Sequence, residues 1–230
     1  MARPYSSKNT YALFGVETTF GVTVSPTNDI GVVNNIEAEQ NNNLNPVYEI
    51  GDRETSDIEV GNYDQTINID GNLNSGAIFQ LLFGQATDTE TSGDYTHTFV
   101  DVPGGTSLPK TADSFTISEN FNSTTSKQFV YGGCKINNID ISFETGGLLE
   151  FSAEVFGTNF QILDTVETRQ TTSTKKLSAY NATVQTGDDA SEAEVSLISS
   201  ATITFNQNMD PGDVKAIGSR LNQDLVEKNF

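Results

Sequence analysis

The residues able to do chemistry are few and scattered. One histidine, His97, lies in Tyr95-Thr-His-Thr-Phe99, where polar and aromatic residues alternate as on a strand, so a strand histidine is expected rather than a general base. One cysteine, Cys134, can close no disulfide within the chain and is expected to be a free buried thiol, as suits a reducing cytoplasm. Without a second histidine or a Cys-x-x-Cys pair there is no zinc or iron ligand set. Neither Gly-x-x-x-x-Gly-Lys-Ser/Thr nor Gly-x-Gly-x-x-Gly occurs to cradle a phosphate. Asp188, Asp189, Glu192 and Glu194 crowd one stretch, but their spacing is not that of an EF-hand, and a solvated acidic turn is the simpler reading. Asn122-Ser-Thr124 and Asn181-Ala-Thr183 match the glycosylation acceptor pattern, which an Asn- and Thr-rich chain produces by chance. No catalytic residue, metal or cofactor is expected.

What the chain does carry is charge of one sign. Its 230 residues hold 31 Asp and Glu against 12 Lys and Arg, a net charge of −19. Such a surface repels phosphate, so a sequence-reading DNA or RNA clamp is not expected, and any nucleic-acid partner must be one that is not gripped. The N-terminal residues form no apolar signal core, and no window approaches the roughly 18 apolar residues of a spanning helix, so neither classical export nor a membrane anchor is expected.

These residues must be positioned mainly by strands. Gln65–Gly71, Ser114–Ser118, Lys135–Phe143, Leu149–Val155 and Ala201–Phe205 alternate apolar and polar with period two between Gly, Asn, Asp or Pro. One stretch breaks the pattern. In Ser75–Gly84, Ile78, Leu81 and Leu82 fall at helical spacing, with Ser75 placed to cap the start and Gly84 the end, predicting about two turns of helix packed on a sheet. Parity specifies the hairpin around Gly146 and Gly147 further. Placing Asn138, Asp140, Ser142 and Glu144 on one face with Glu150, Ser152 and Glu154 requires partner numbers with an even sum. A three-residue loop, Thr145-Gly146-Gly147 with Gly147 left-handed, meets that condition and sets Ile141 opposite Phe151 and Phe143 opposite Leu149.

The chain also resembles itself. Asn41-Asn-Asn-Leu-Asn-Pro46 matches Asn206-Gln-Asn-Met-Asp-Pro211 at an offset of 165 residues. Ile50-Gly-Asp-Arg-Glu-Thr-Ser-Asp57 matches Ile217-Gly-Ser-Arg-Leu-Asn-Gln-Asp224 at 167, continuing to Asn62-Tyr63 against Asn229-Phe230. Each copy reads as a strand followed by a long polar loop. The expected organisation is a β domain over 1–165 and the start of a related, incomplete repeat over 166–230.

The series Tyr11-Ala-Leu-Phe-Gly-Val-Glu-Thr-Thr-Phe-Gly21, Ser25-Pro-Thr27, Ile50-Gly-Asp-Arg53, Val60-Gly-Asn-Tyr63, Gly71, Leu81-Leu-Phe-Gly84, Tyr95-Thr-His-Thr-Phe99, Leu108-Pro109, Phe115-Thr-Ile117 and Gly133-Cys-Lys-Ile-Asn137 resembles the major tail-tube proteins of long-tailed viruses of bacteria and archaea. The likeness lies in order and spacing over most of the chain. It implies a mainly β fold, a β-sandwich or rolled sheet with one short flanking helix, whose strands contribute to an inter-subunit barrel. It implies a virion protein assembled in the host cytoplasm into stacked six-fold rings, or trimers if a chain holds two tube domains, which contacts other tail proteins and passes viral DNA unbound. In that setting the acidic hairpin face, Asp140, Glu144, Glu150 and Glu154, is a candidate channel wall. The loop from Val47 to Gly61, with Arg53 among Glu49, Asp52, Glu54, Asp57 and Glu59, is a candidate contact to the adjacent ring. The competing reading is a carbohydrate-binding or adhesive β-sandwich module, against which the lack of tryptophan counts. An enzyme is the most distant class.

Overall fold

The structure is a computed structural model that describes residues 10–47, 57–74, 76–83, 86–91, 94–99, 114–121, 126–168, 177–181, 185–186, 193–194, 198–209, 219 and 221. Period-two alternation becomes strand at each of the five places expected. In chain order the strands are β1 (Thr10–Glu17), β2 (Asn28–Asp29), β3 (Val32–Asn41), β4 (Leu44–Val47), β5 (Asp57–Val60), β6 (Asp64–Asn72), β7 (Ala86–Thr91), β8 (Asp94–Phe99), β9 (Ser114–Phe121), β10 (Lys127–Glu144), β11 (Glu150–Gly157), β12 (Asn159–Leu163), β13 (Gln185–Thr186), β14 (Ala193–Glu194) and β15 (Ser200–Asn206). One helix, α1 (Ala77–Phe83), follows β6 and buries Ile78, Leu81 and Leu82, the residues at helical spacing. The expected caps Ser75 and Gly84 lie outside the described residues. His97 does lie on a strand, paired with Asp88 in the β7–β8 hairpin.

Nine strands form one antiparallel sheet in the order β2-β1-β9-β10-β11-β6-β3, with β12 and β15 also on β10. The 18-residue β10 joins its two halves. The N-terminal part of β10 pairs with β9 and β12, and the C-terminal part with β11 and β15. Two register shifts fall between these parts, one between Tyr131 and Cys134 and one between Ile136 and Asn138. Bulges bend a strand and raise its twist, which lets one strand serve both halves. Ala12, Phe14, Phe115 and Ile117 from the first half share a single core with Ile36, Ile67, Ile69, Phe151 and Ala153 from the second, so the sheet is rolled onto itself.

Glu17 locks the first bulge. The side chain has no exposed surface, and its carboxylate accepts four hydrogen bonds, from Gly21 N (3.0 Å), Gly133 N (3.0 Å), Thr116 Oγ1 (2.7 Å) and Ser114 Oγ. The turn after β1, strand β9 and the bulge of β10 thus meet on one buried anion whose charge is spread over four donors. Gly133 reaches it with φ +62°, where a Cβ would stand 2.1 Å from Thr158 Oγ1. Gly133→Ala should therefore lose about 1–3 kcal/mol through backbone strain alone; a urea midpoint equal to that of the unaltered protein would refute this. Beside the bulge, Cys134 is a free, fully buried thiol. Burial first, and then the neighbouring Glu17, push its pKa well up, so it stays protonated and inert.

The hairpin between β10 and β11 has the expected parity, with Asn138↔Glu154, Ile141↔Phe151 and Ser142↔Glu150. The ladder ends at Ser142↔Glu150, short of the expected Phe143 and Leu149, and Gly146, at φ +81°, takes the left-handed position rather than Gly147. Gly147 N–H donates to Glu144 O at 2.9 Å, closing a four-residue turn in which Gly146 is the third residue, the place where positive φ is required.

Candidate functional site

Ile139, Ile141, Phe151 and Ala153 of the hairpin are buried, Leu149 packs against the same core, and Phe143 is half-buried. The opposite face is therefore outward in the subunit, and Asp140, Glu144, Glu150 and Glu154 share it. The ladders extend this face across β15, β10, β11, β6 and β3 and add Glu37, Glu39, Asp64 and Asp70, which were not legible as neighbours in the sequence. The eight carboxylates do not face one another. Asp140 stands opposite Ser152 and Thr204, Glu150 opposite Ser142 and Asn72, and Glu154 opposite Asn138 and Asn68. Asp70 faces Ser152 and Asn35, Glu37 faces Asn68, Glu39 faces Thr66, Asp64 faces Asn41, and Glu144 faces Ser200.

Directly opposed like charges destabilise a sheet. Here every carboxylate has a neutral hydroxyl or amide as its cross-strand partner, so the charge is dense over the face yet tolerable pair by pair. One of these partners is bonded, Thr204 Oγ1 donating to Asp140 Oδ1, and Glu154 Oε2 is bonded by a residue outside the ladder, Asn137 of the second bulge, which donates to it at 2.5 Å. The five strands carry no arginine, and their two lysines, Lys127 and Lys135, are both in β10 upstream of the second bulge. Lys135 holds its ammonium 5.3 Å from the centre of the Phe20 ring.

The polar loop of the second candidate is anchored as a hairpin. β4 and β5 pair antiparallel, Leu44↔Val60, Asn45↔Glu59, Pro46↔Ile58 and Val47↔Asp57, and every residue of both strands is exposed. Glu49, Asp52, Arg53 and Glu54 lie outside the described residues, whereas Asp57 and Glu59 sit on β5. At the base, the left-handed Asn43 donates its side-chain amide to Asn62 O (2.9 Å) and Asp64 Oδ2 (2.7 Å), fastening the arm to the sheet. Sequence reasoning weighed the charges of this loop and missed its apolar side. Cross-strand pairing puts Leu44, Pro46, Ile58 and Val60 on one face, with Leu44, Ile58 and Val60 at 58%, 55% and 47% exposure. The signal was present as the alternation Leu44-x-Pro46 and Ile58-x-Val60. An exposed apolar face of this kind is a candidate protein contact.

Among the described residues no group of three His, Cys, Asp or Glu side chains could hold a metal ion, and no helix is long and apolar enough to cross a membrane. Asp188, Asp189 and Glu192 lie outside those residues, within the connection of the β13–β14 hairpin. The family described as phage tail tube protein matches residues 7–229. The chain belongs to the phage tail tube protein family. Membership makes it a structural component of the virion tail and implies a non-enzymatic role. No curated protein matches the sequence. Among solved structures it is similar to the SPP1 tail tube, determined by solid-state NMR and cryo-EM, at 10% identity and a TM-score of 0.43 over 71% of this chain and 81% of that one. As a tail tube protein it presents two surfaces unlike the rest: a broad acidic sheet face and a hairpin arm with one bare apolar side.

Proposed function

We propose that this tail tube protein assembles into closed rings, six copies or three if a chain fills two positions, which stack into a tube whose channel wall is the acidic face of β15, β10, β11, β6 and β3. The observation that carries the reading is the arrangement of Asp140, Glu144, Glu150 and Glu154 on an outward face where each has a neutral cross-strand partner. A conduit for DNA must not bind it. A wall dense in carboxylates, whose one lysine, Lys135 opposite Phe156, stands at its margin against Phe20, offers phosphates little counterion-releasing contact, and its field keeps the duplex centred and free to slide during ejection. The arm of β4 and β5 reaches the adjacent ring, burying Leu44, Ile58 and Val60 there, and Arg53, between the two strands in sequence, pairs with a carboxylate of that ring. Other tail proteins meet the ends of the tube.

Negative-stain microscopy of the purified protein tests the assembly directly: rings or tubes are expected, and a monomer at every protein and salt concentration would refute it. The double substitution Glu150→Lys with Glu154→Lys tests the wall. The fold should be kept: exposed Glu150 should shift stability by no more than about 0.5 kcal/mol, and half-buried Glu154 by about 1 kcal/mol through the lost bond from Asn137. Tubes of the variant should retain DNA on co-sedimentation at low salt and release it as salt rises. A tube structure with Glu150 and Glu154 on the outer surface would refute the channel assignment and leave the tube itself standing.

A further inference from the structure

The repeat at an offset of 165 residues recurs in backbone geometry. Among the described residues only Asn43 and Asn208 are non-glycine residues with positive φ, at 44° and 49°. Each ends a strand with the same local turn: Asn43 N–H donates to Asn41 Oδ1 at 2.9 Å, and Asn208 N–H to Asn206 Oδ1 at 2.8 Å. The two strands, β3 and β15, occupy opposite edges of the five-stranded half of the sheet. Four successive antiparallel pairings separate them, so they run in the same direction. A second copy of the chain set beside the first would bring its β3 to the side of β10 where β15 lies, in the same orientation.

One of the two units is docked and the other is bare. After β15, Gln207 N–H donates to Asn137 O (2.8 Å), Met209 N–H to Asn137 Oδ1 (2.9 Å), and Gln207 Nε2 to Leu82 O (2.7 Å). Met209 is 7% exposed. After β3, the residue in the place of Met209 is Leu44, 58% exposed, while Ala38 and Gln40, on the core-facing side of β3, are also exposed. Among the described residues only β6 pairs β3.

We infer that the outer edge of β3 and the C-terminal half of β10 are donor and acceptor of a strand contact between two copies of this chain, and that β15 holds the acceptor in the free subunit. This rests on the tube reading and specifies its contact. Carrying the β10–β15 register back by the repeat offset pairs Asn41 with Asn138, Ala38 with Ile141 and Glu37 with Ser142. Every side chain keeps its face: on the polar side Glu37, Glu39 and Asn41 meet Ser142, Asp140 and Asn138, and on the core side Ile36 and Ala38 meet Phe143 and Ile141, with Gln40 opposite Ile139 the one polar residue there. The contact is head-to-tail, the type that closes into a ring. Two differences favour β15 in the free subunit. Phe205 packs edge-on against Phe79 and Phe83, where β3 offers only Gln40. Thr204 donates to Asp140, where β3 would set Glu39 against that carboxylate. Exchange is then driven by the many contacts of the ring together, and salt helps by screening the Glu39–Asp140 pair. Until that point β15 shields an edge that would otherwise pair at random.

Cross-linking the full-length chain distinguishes the two states. Glu37→Cys with Ser142→Cys places thiols on β3 and β10, which two intervening strands hold at least about 14 Å apart within a subunit. No intrachain disulfide can span this gap. Oxidised tubes of that variant should yield a ladder of covalent oligomers. Thr202→Cys with Ser142→Cys joins direct cross-strand partners and should trap β15 on β10. That variant should stay unassembled when oxidised and form tubes when reduced. Glu39→Thr, copying Thr204, should move assembly to lower salt. The inference is overturned if the trapped variant forms tubes at the unaltered yield, or if tubes of the first variant give no ladder. Those outcomes leave the tube reading intact, whereas a protein that never forms rings or tubes removes both.

Discussion

Glu17→Gln should lower the stability of the subunit by about 2–4 kcal/mol, although it changes one atom in a side chain that touches no solvent. A carboxylate accepts at both oxygens, and here each oxygen holds one backbone N–H and one hydroxyl: Gly133 and Thr116 on Oε1, Gly21 and Ser114 on Oε2. Glutamine turns one oxygen into a donor. The hydroxyl on that side can rotate and accept, but the backbone N–H cannot, and it is left buried and unpaired against another donor. Urea denaturation should show a lower midpoint at unchanged slope. Ser114→Ala, which removes a single rotatable donor, should cost about 1 kcal/mol. A Glu17→Gln midpoint within error of the unaltered protein would mean that the carboxylate does not hold the bulge.

The second large effect is expected on assembly rather than on folding. Ile58→Asp alters a residue that is 55% exposed in the subunit, so the monomer should unfold within about 0.5 kcal/mol of the unaltered protein. If the arm buries Leu44, Ile58 and Val60 on another subunit, each contact then encloses an unpaired carboxylate, at a cost of several kcal/mol. Sedimentation should show tube formation abolished at protein concentrations where the unaltered chain polymerises. Arg53→Ala removes one exposed charge from the same arm and should do less, about 1 kcal/mol at most per contact, seen as shorter or less stable tubes. Tubes of normal yield and length from Ile58→Asp would show that the apolar face of the arm is not a contact.

Alternation along the chain determined which side chains share a face. Period two specifies side and needs no neighbour, so the pairing of Asp140 with Ser152 and of Ile141 with Phe151 followed from parity together with the need to bury Ile139, Ile141, Phe151 and Ala153. The short helix was equally legible, because Ile78, Leu81 and Leu82 make one apolar stripe. The match of Asn41–Pro46 with Asn206–Pro211 was also visible in the sequence, and the fold adds that Asn43 and Asn208 share a positive φ. The left-handed glycine was misplaced by one, at Gly147 instead of Gly146, because two adjacent glycines give the same local signal and only the hydrogen bond from Gly147 to Glu144 selects between them.

Tertiary structure alone decided which strands are neighbours. Period two is the same for every partner, so nothing in β6 announces that it lies between β11 and β3, and the acidic face therefore grew from four carboxylates to eight only in the fold. The burial of Glu17 was hidden for the same reason. A glutamate at a strand end reads as solvent-facing, and three of its four donors come from Ser114, Thr116 and Gly133, at 97, 99 and 116 residues' distance along the chain. A charge can leave water only where such donors converge, and their convergence is a property of strand pairing across the whole chain, which local sequence does not encode.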